Sequence, residues 1–162
     1  MRYLSCTTLA LVFFVCLSRQ PIQGAATPPF SLQLKALDST VKAGSPVRLE
    51  VKTTNASTNA ISLSKSNPAL EYEFSVRNPQ GGRAAESESF KRMKDPNKPV
   101  MIFRLTSEVL KPGESATEVV VISEFYDLTR PGLFTIQVER RVPEQLGHGV
   151  VKSNTVSVTI TP

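Results

Sequence analysis

The chain has 162 residues, of which 40% are hydrophobic, with 19 basic and 14 acidic side chains and a single histidine. A net charge of +5 is too small to indicate a nucleic-acid-binding protein, and so few histidines and cysteines do not provide the usual ligands of a zinc site. The length is that of one domain with a core large enough to fold without disulfides.

Residues 1–26 have the pattern of a secretory signal peptide. An apolar run at 9–17 is followed by small residues at 24–26. The run is much shorter than the roughly 20 residues that cross a bilayer, and Cys16 lies inside it rather than after a small residue at its end. We therefore expect cleavage after residue 24, 25 or 26, in preference to a retained membrane anchor or a lipoprotein.

The predicted mature protein, residues 27–162, contains no cysteine, because Cys6 and Cys16 both belong to the leader. It therefore has no disulfide, although an extracellular compartment would allow one. We expect a secreted or periplasmic monomer that has no membrane span after signal cleavage and is insensitive to reductant.

Apolar and polar residues alternate with a period of two along most of the mature chain, which predicts strands with one wet face. In chain order, strands are predicted at 30–35, 47–52, 61–63, 70–77, 100–105, 119–122, 134–139 and 156–161.

Turn signals separate these strands. Pro-Gly pairs at 111–114 and 130–133 predict type II turns, Asn-Pro-Gln-Gly at 78–81 is typical of a type I turn, and 43–46 breaks the first strand from the second. No amphipathic helix of useful length is predicted. The fold class is therefore all-β, an antiparallel immunoglobulin-like β-sandwich of about seven to nine strands without a disulfide.

Several motifs resemble those of bacterial secreted immunoglobulin-like domains. They are Ala-Gly-Ser-Pro-Val at 43–47, Thr-Asn-Ala-Ser at 54–57 followed by 61–63, Leu-Lys-Pro-Gly-Glu at 110–114 and Pro-Gly-Leu-Phe-Thr-Ile at 131–136. In order they are most similar to the domain type of the Bacillus intracellular proteinase inhibitor. The resemblance implies a fold for nearly all of the mature chain, and proteinase inhibition as one function.

The sequence offers no catalytic constellation. Glu71 and Glu73 would share a face of the predicted strand at 70–77, but two carboxylates on a wet strand face are typical of surface charge rather than of a glycosidase pair. His148 lies between two glycines and no serine has a nucleophile elbow around it. We predict a non-enzyme with no cofactor and no metal.

The segment 79–99 is longer than most loops of compact domains, and such loops are functional or disordered. If 61–63 and 70–76 form a hairpin, as the strand order of the resembling family implies, the segment leaves the sandwich at the same end as the loops 55–59 and 143–149. Recognition surfaces are commonly built at such an end. The candidate partner-binding residues are Arg83, Phe90, Lys91, Arg92, Met93, Lys94, Lys98 and His148.

The predicted function is a binding module whose partner is a protein or an anionic envelope polymer. A single loop aromatic is too few for base stacking, so nucleic acid is not expected. Three alternatives stay open: a proteinase inhibitor, a structural spacer without a ligand, and a basic loop that is merely solvated, with Phe90 and Met93 packed onto the sheet.

Overall fold

The structure, a computed structural model, describes residues 27–97 and 105–162. Within them lie ten strands and two short α-helices. The strands are β1 (Phe30–Ala36), β2 (Thr40–Lys42), β3 (Arg48–Asn55), β4 (Ile61–Lys65), β5 (Glu73–Arg77), β6 (Thr106–Leu110), β7 (Ser115–Val121), β8 (Gly132–Arg141), β9 (Val150–Lys152) and β10 (Val156–Thr161). The helices are α1 (Pro68–Glu71) and α2 (Glu88–Lys94).

Two sheets enclose the core. One has the order β1-β3-β7 and the other the order β2-β10-β8-β5, with β9 also paired to β8. Only β2 and β10 run parallel among the described pairs. The alternating apolar residues face inward, and Phe30, Phe74 and Phe134 are the largest of the fully buried side chains. The predicted immunoglobulin-like antiparallel sandwich is confirmed.

The short ladder of β4 and β6 continues the ladder of β3 and β7 after a bend. Thr54 pairs with Ser115 before the bend, and Ile61 pairs with Leu110 after it. Asn55, which is 1% exposed, holds the bend because its side-chain Nδ2 donates to the Leu110 carbonyl at 2.8 Å. On the other strand the predicted type II turn is present, with Gly113 at a φ of 77°.

The predicted strand at 70–77 is wrong in its first half. Asn67 caps α1 by accepting the Ala69 N–H at 2.8 Å, and Pro68 takes the first helical position. The strand β5 therefore begins only at Glu73. As a result Glu71 and Glu73 do not share a strand face.

Two further differences concern the middle of the chain. The strand predicted at 100–105 falls almost entirely outside the described residues, and β6 follows it at Thr106–Leu110. The helix α2 interrupts the segment that the turn signals left as a loop; its N-cap is Ser87, whose Oγ accepts the Phe90 N–H at 3.1 Å. In the part of the chain that is described, no helix has the length and hydropathy needed to span a membrane.

Candidate binding groove

A groove of about 610 Å³ lies where β5 begins and β8 ends. The helices α1 and α2 and residues 142–143 form its walls. Leu70 and Val150 lie on its apolar rim with 63% and 48% of their surface exposed, whereas Phe74 and Phe90 in its lining are buried. The groove therefore combines exposed aliphatic groups with a rigid aromatic base.

A buried ion pair anchors α1 beside the groove. Arg140 Nη2 lies 3.1 Å from Glu71 Oε2, and the two side chains are only 8% and 5% exposed. The same nitrogen donates to the Ser64 carbonyl at 2.6 Å, and the Ser66 N–H donates to the Glu71 carboxylate. Burial raises the pKa of the Glu71 carboxyl above 4.5, while the Ser66 N–H and the Arg140 charge oppose the rise.

Tyr72 extends this polar cluster towards β7. Its hydroxyl donates to the Glu118 carboxylate, and the Arg140 guanidinium lies 5.2 Å from the centre of its ring. Burial raises the pKa of the Tyr72 hydroxyl well above its usual range, and the Glu118 charge adds to the rise. The hydroxyl therefore stays protonated as a donor at physiological pH.

The helix α2 is held against the sandwich by Phe90. The Phe90 ring lies 5.2 Å from the ring centre of Phe125 and 5.8 Å from that of Tyr126. The Tyr126 hydroxyl in turn donates to the Phe74 carbonyl of β5 at 2.9 Å. These contacts make α2 a packed element of the domain.

Two of the three basic side chains of α2 have acidic partners. Lys91 Nζ lies 2.6 Å from Glu88 Oε1, and Lys94 Nζ lies 2.6 Å from Glu86 Oε1. Lys94 Nζ also lies 4.6 Å from the centre of the Phe90 ring. Glu86 and Glu88, which precede α2 or begin it, therefore lie beside its lysines. The local positive charge is smaller than the sequence implies.

The structure brings only some of the predicted site residues together. Arg83, Phe90 and Lys94 line the groove. Lys91 instead lines a second groove of about 530 Å³ between α2 and residues 44–46 and 121–129. Arg92 is exposed and Met93 is half-buried against the core.

The other predicted residues lie elsewhere. Lys98 is outside the described residues. His148 is exposed between two glycines with positive φ and does not line the groove, although Pro143 and Val150 on either side of its loop do. The loop at 55–59 also does not reach the groove lining.

The path of segment 79–97 explains this distribution. It leaves β5 at Arg77, where Pro79 packs on Gly132 at the far end of the sheet, and it returns along the β5 edge to the groove. The strand β4 pairs with β6 and not with β5, so the hairpin of 61–63 with 70–76 that the resemblance implies does not form. The expectation that the segment leaves the sandwich at the same end as the loop 143–149 is therefore wrong.

The candidate residues chosen from the sequence do not include Glu71, Arg140, Leu70 or Val150. The interpretation of Glu71 as a surface charge is wrong, because its side chain is 5% exposed. A signal for Arg140 is present: it follows Phe134, Ile136 and Val138 in the same period-two phase, so the strand directs it inward. A charged side chain at an inward position requires a buried partner. For Glu71, the signal is the Asn67-Pro68 pair, which places an N-cap and then a proline at the first position of a helix.

The buried polar atoms of the described residues are satisfied within the domain. Among the residues described, every fully buried side-chain nitrogen or oxygen has a hydrogen-bond partner. In the same residues no group of three or more His, Cys, Asp or Glu side chains is placed to hold a metal ion. What the groove presents to solvent is an aliphatic rim with charged side chains around it.

Fold and groove together define an immunoglobulin-like β-sandwich domain of the binding or structural kind. Residues 31–161 match the family described as "Flagellar collar protein C, N-terminal domain". The chain belongs to this family. No curated protein matches the sequence.

The comparison with solved structures gave distant similarities. The CARDB domain of PF1109 from Pyrococcus furiosus is 14% identical, with 83% of this chain and 95% of that domain covered and a TM-score of 0.43. A β-glucosidase from Listeria innocua in complex with glucose is 13% identical over 82% of this chain and 16% of its own, with a TM-score of 0.42. The β-glucosidase EmGH1 from Erythrobacter marinus is 15% identical over 82% and 15%, with a TM-score of 0.41.

Proposed function

We propose that this domain is a non-enzymatic component of a bacterial flagellar collar, exported to the cell envelope, that binds a protein neighbour through the groove. The observation that carries the proposal is the family match, which extends over residues 31–161 and so includes almost the whole sandwich. The signal-like leader at 1–26 supports the location.

The groove surface favours a protein over an anionic polymer as the partner. Leu70 and Val150 expose aliphatic surface on the groove rim, and burying such surface stabilises a protein contact by about 25 cal/mol per Å². Lys91 and Lys94 are paired with carboxylates, which leaves less positive charge for a polyanion.

The remaining charges around the groove give the partner a preferred character. Among the described residues, no carboxylate lies within 4 Å of the Arg83 or Arg141 guanidinium. Glu73 is the exposed acidic residue of the lining. The preferred partner surface is therefore an aliphatic one that carries acidic residues facing Arg83 and Arg141.

Proteinase inhibition is less well supported, because the basic part of segment 79–97 forms the packed helix α2 instead of an extended exposed strand.

Site-specific photo-crosslinking in the cell tests this function. A photoreactive residue at Leu70 is expected to give a discrete crosslinked protein in the fraction that contains the flagellar basal body. Leu133, which is 52% exposed on β8 away from the groove lining, is the matched control and is expected to give none. The same pattern from both positions, or no crosslink from Leu70, would count against the groove as the binding site.

A further inference from the structure

Two edge strands of the sandwich, β1 and β5, form hydrogen bonds with other parts of the chain along their outer edges. On β1, the Asn154 side chain accepts the Leu34 N–H and donates to the Leu34 carbonyl, both at 2.9 Å. On β5, the Ala84 N–H donates to the Val76 carbonyl at 2.8 Å, and Tyr126 donates to Phe74. The third edge, β2, has only three residues. Such protection is expected, because an open edge pairs with other strands.

The edge of β7 differs from these. The Asn55 N–H donates to the Glu114 carbonyl and the Ile122 N–H donates to the Val47 carbonyl, each at 2.9 Å. Since bonded pairs alternate along an antiparallel ladder, residues 114, 116, 118, 120 and 122 face β3. The backbone groups of residues 115, 117, 119 and 121 therefore face away from β3, and within the described chain none of them has a hydrogen-bond partner.

The side chains of β7 do not protect its edge either. The strand reads Ser-Ala-Thr-Glu-Val-Val-Val, with no lysine, no proline and no bulge in its pairing with β3. Val119 is 54% exposed on the outer face. Glu118, the one charged residue, is turned away from this face and bonded by Tyr72. A seven-residue edge with β-branched residues and an exposed valine is favourable for strand addition.

We propose that the β7 edge pairs antiparallel with the β7 edge of a second copy of this chain, with Val119 on the two-fold axis. In this register Thr117 faces Val121 of the other copy and Glu118 faces its Val120. The alternative register with Glu118 on the axis places two carboxylates opposite each other, which is destabilising. The Val119 register satisfies the outward groups of residues 117, 119 and 121 in both copies and joins two three-stranded sheets into one.

The interface is limited to one short strand from each copy, below the roughly 800 Å² per partner of stable complexes. The dimer is therefore weak and concentration-dependent. At high dilution the chain is a monomer, as the sequence analysis expects. Since the groove is not part of this edge, self-association does not depend on the proposed collar function.

Sedimentation velocity over a range of concentrations, with the full chain kept reduced, tests the pairing. The parent is expected to shift from monomer towards dimer as concentration rises. V119K, which puts two ammonium groups at the axis, is expected to remain monomeric. L133K introduces the same charge at another exposed strand position and is expected to dimerise like the parent.

Amide hydrogen exchange gives a second readout on the parent chain. The amides of Thr117 and Val119 are expected to exchange more slowly at high concentration than at low concentration, and those of Ser107 and Leu133 are expected not to change. A parent that is monomeric at every concentration, or a dimer that V119K leaves intact, would overturn the proposal. Should V119K fail to fold, concentration-independent exchange at Thr117 and Val119 would overturn it equally.

Discussion

Replacing Arg140 by methionine is expected to lower the free energy of unfolding by about 3–5 kcal/mol at neutral pH, the usual cost of leaving one partner of a buried ion pair uncompensated. The estimate applies here because the two side chains of the pair are 8% and 5% exposed, so water does not replace the lost cation. The bonds from Arg140 to Ser64 and Glu71 are lost together. Against a total stability of about 5–15 kcal/mol for a domain, this is a large effect.

The loss should depend on pH in a defined direction. Because burial raises the native pKa of Glu71, the native state binds this proton more readily than the unfolded state does. The favourable contribution of Glu71 is therefore fully present below its unfolded pKa near 4.5, and it is lost as pH rises through the native pKa. Without Arg140 the native pKa rises further. The difference between R140M and the parent should thus be smallest below about pH 4 and grow towards neutral pH.

Urea unfolding followed by far-UV circular dichroism at several pH values measures this. E71Q and the double variant E71Q/R140M complete a double-mutant cycle, in which the double variant is expected to lose less than the sum of the two single losses. R141M is the matched control, since Arg141 is the exposed neighbour and should change stability by about 0.5 kcal/mol or less. A loss for R140M below about 1 kcal/mol at pH 7, or one that is the same at pH 4 and pH 7, would refute the buried-pair reasoning.

Two further predictions concern backbone and capping. G132A is expected to destabilise the domain by about 1–3 kcal/mol. Gly132 has a φ of 135°, and an added Cβ would lie 2.4 Å from Pro79 Cγ. An unchanged melting temperature would contradict this prediction. S87A removes the side-chain cap of α2 and is expected to lower the free energy of unfolding by about 1 kcal/mol. Trypsin should then cleave after Arg92 faster than in the parent, as followed by mass spectrometry. Cleavage at the parent rate would show that the packing of Phe90 alone holds the helix.

The period-two pattern was enough to predict the sandwich. Each strand of this fold has one buried face, and that face is recognised from the alternation of apolar and polar residues within the strand itself. Strands β1, β3, β8 and β10 lie close to where the alternation predicts them. The alternation at 70–77 failed because Asn67 and Pro68 favour a helix start, and a four-residue helix leaves no periodic signal of its own. At residues 68–71 the capping by Asn67 and Pro68 therefore determined the structure, and the alternation of apolar and polar residues did not.

The sequence by itself determined the fold class, the turn at 111–114 and the inward phase of Arg140, since each depends on a few neighbouring residues. Only the tertiary structure decided which charges meet. Glu71 and Arg140 are 69 residues apart in the sequence. Glu86 precedes α2, whereas its partner Lys94 is at the end of that helix. Neither pair could be predicted from the sequence alone. The same holds for the edge of β7 that the described residues leave uncovered, because whether a strand is covered depends on the packing of the rest of the chain.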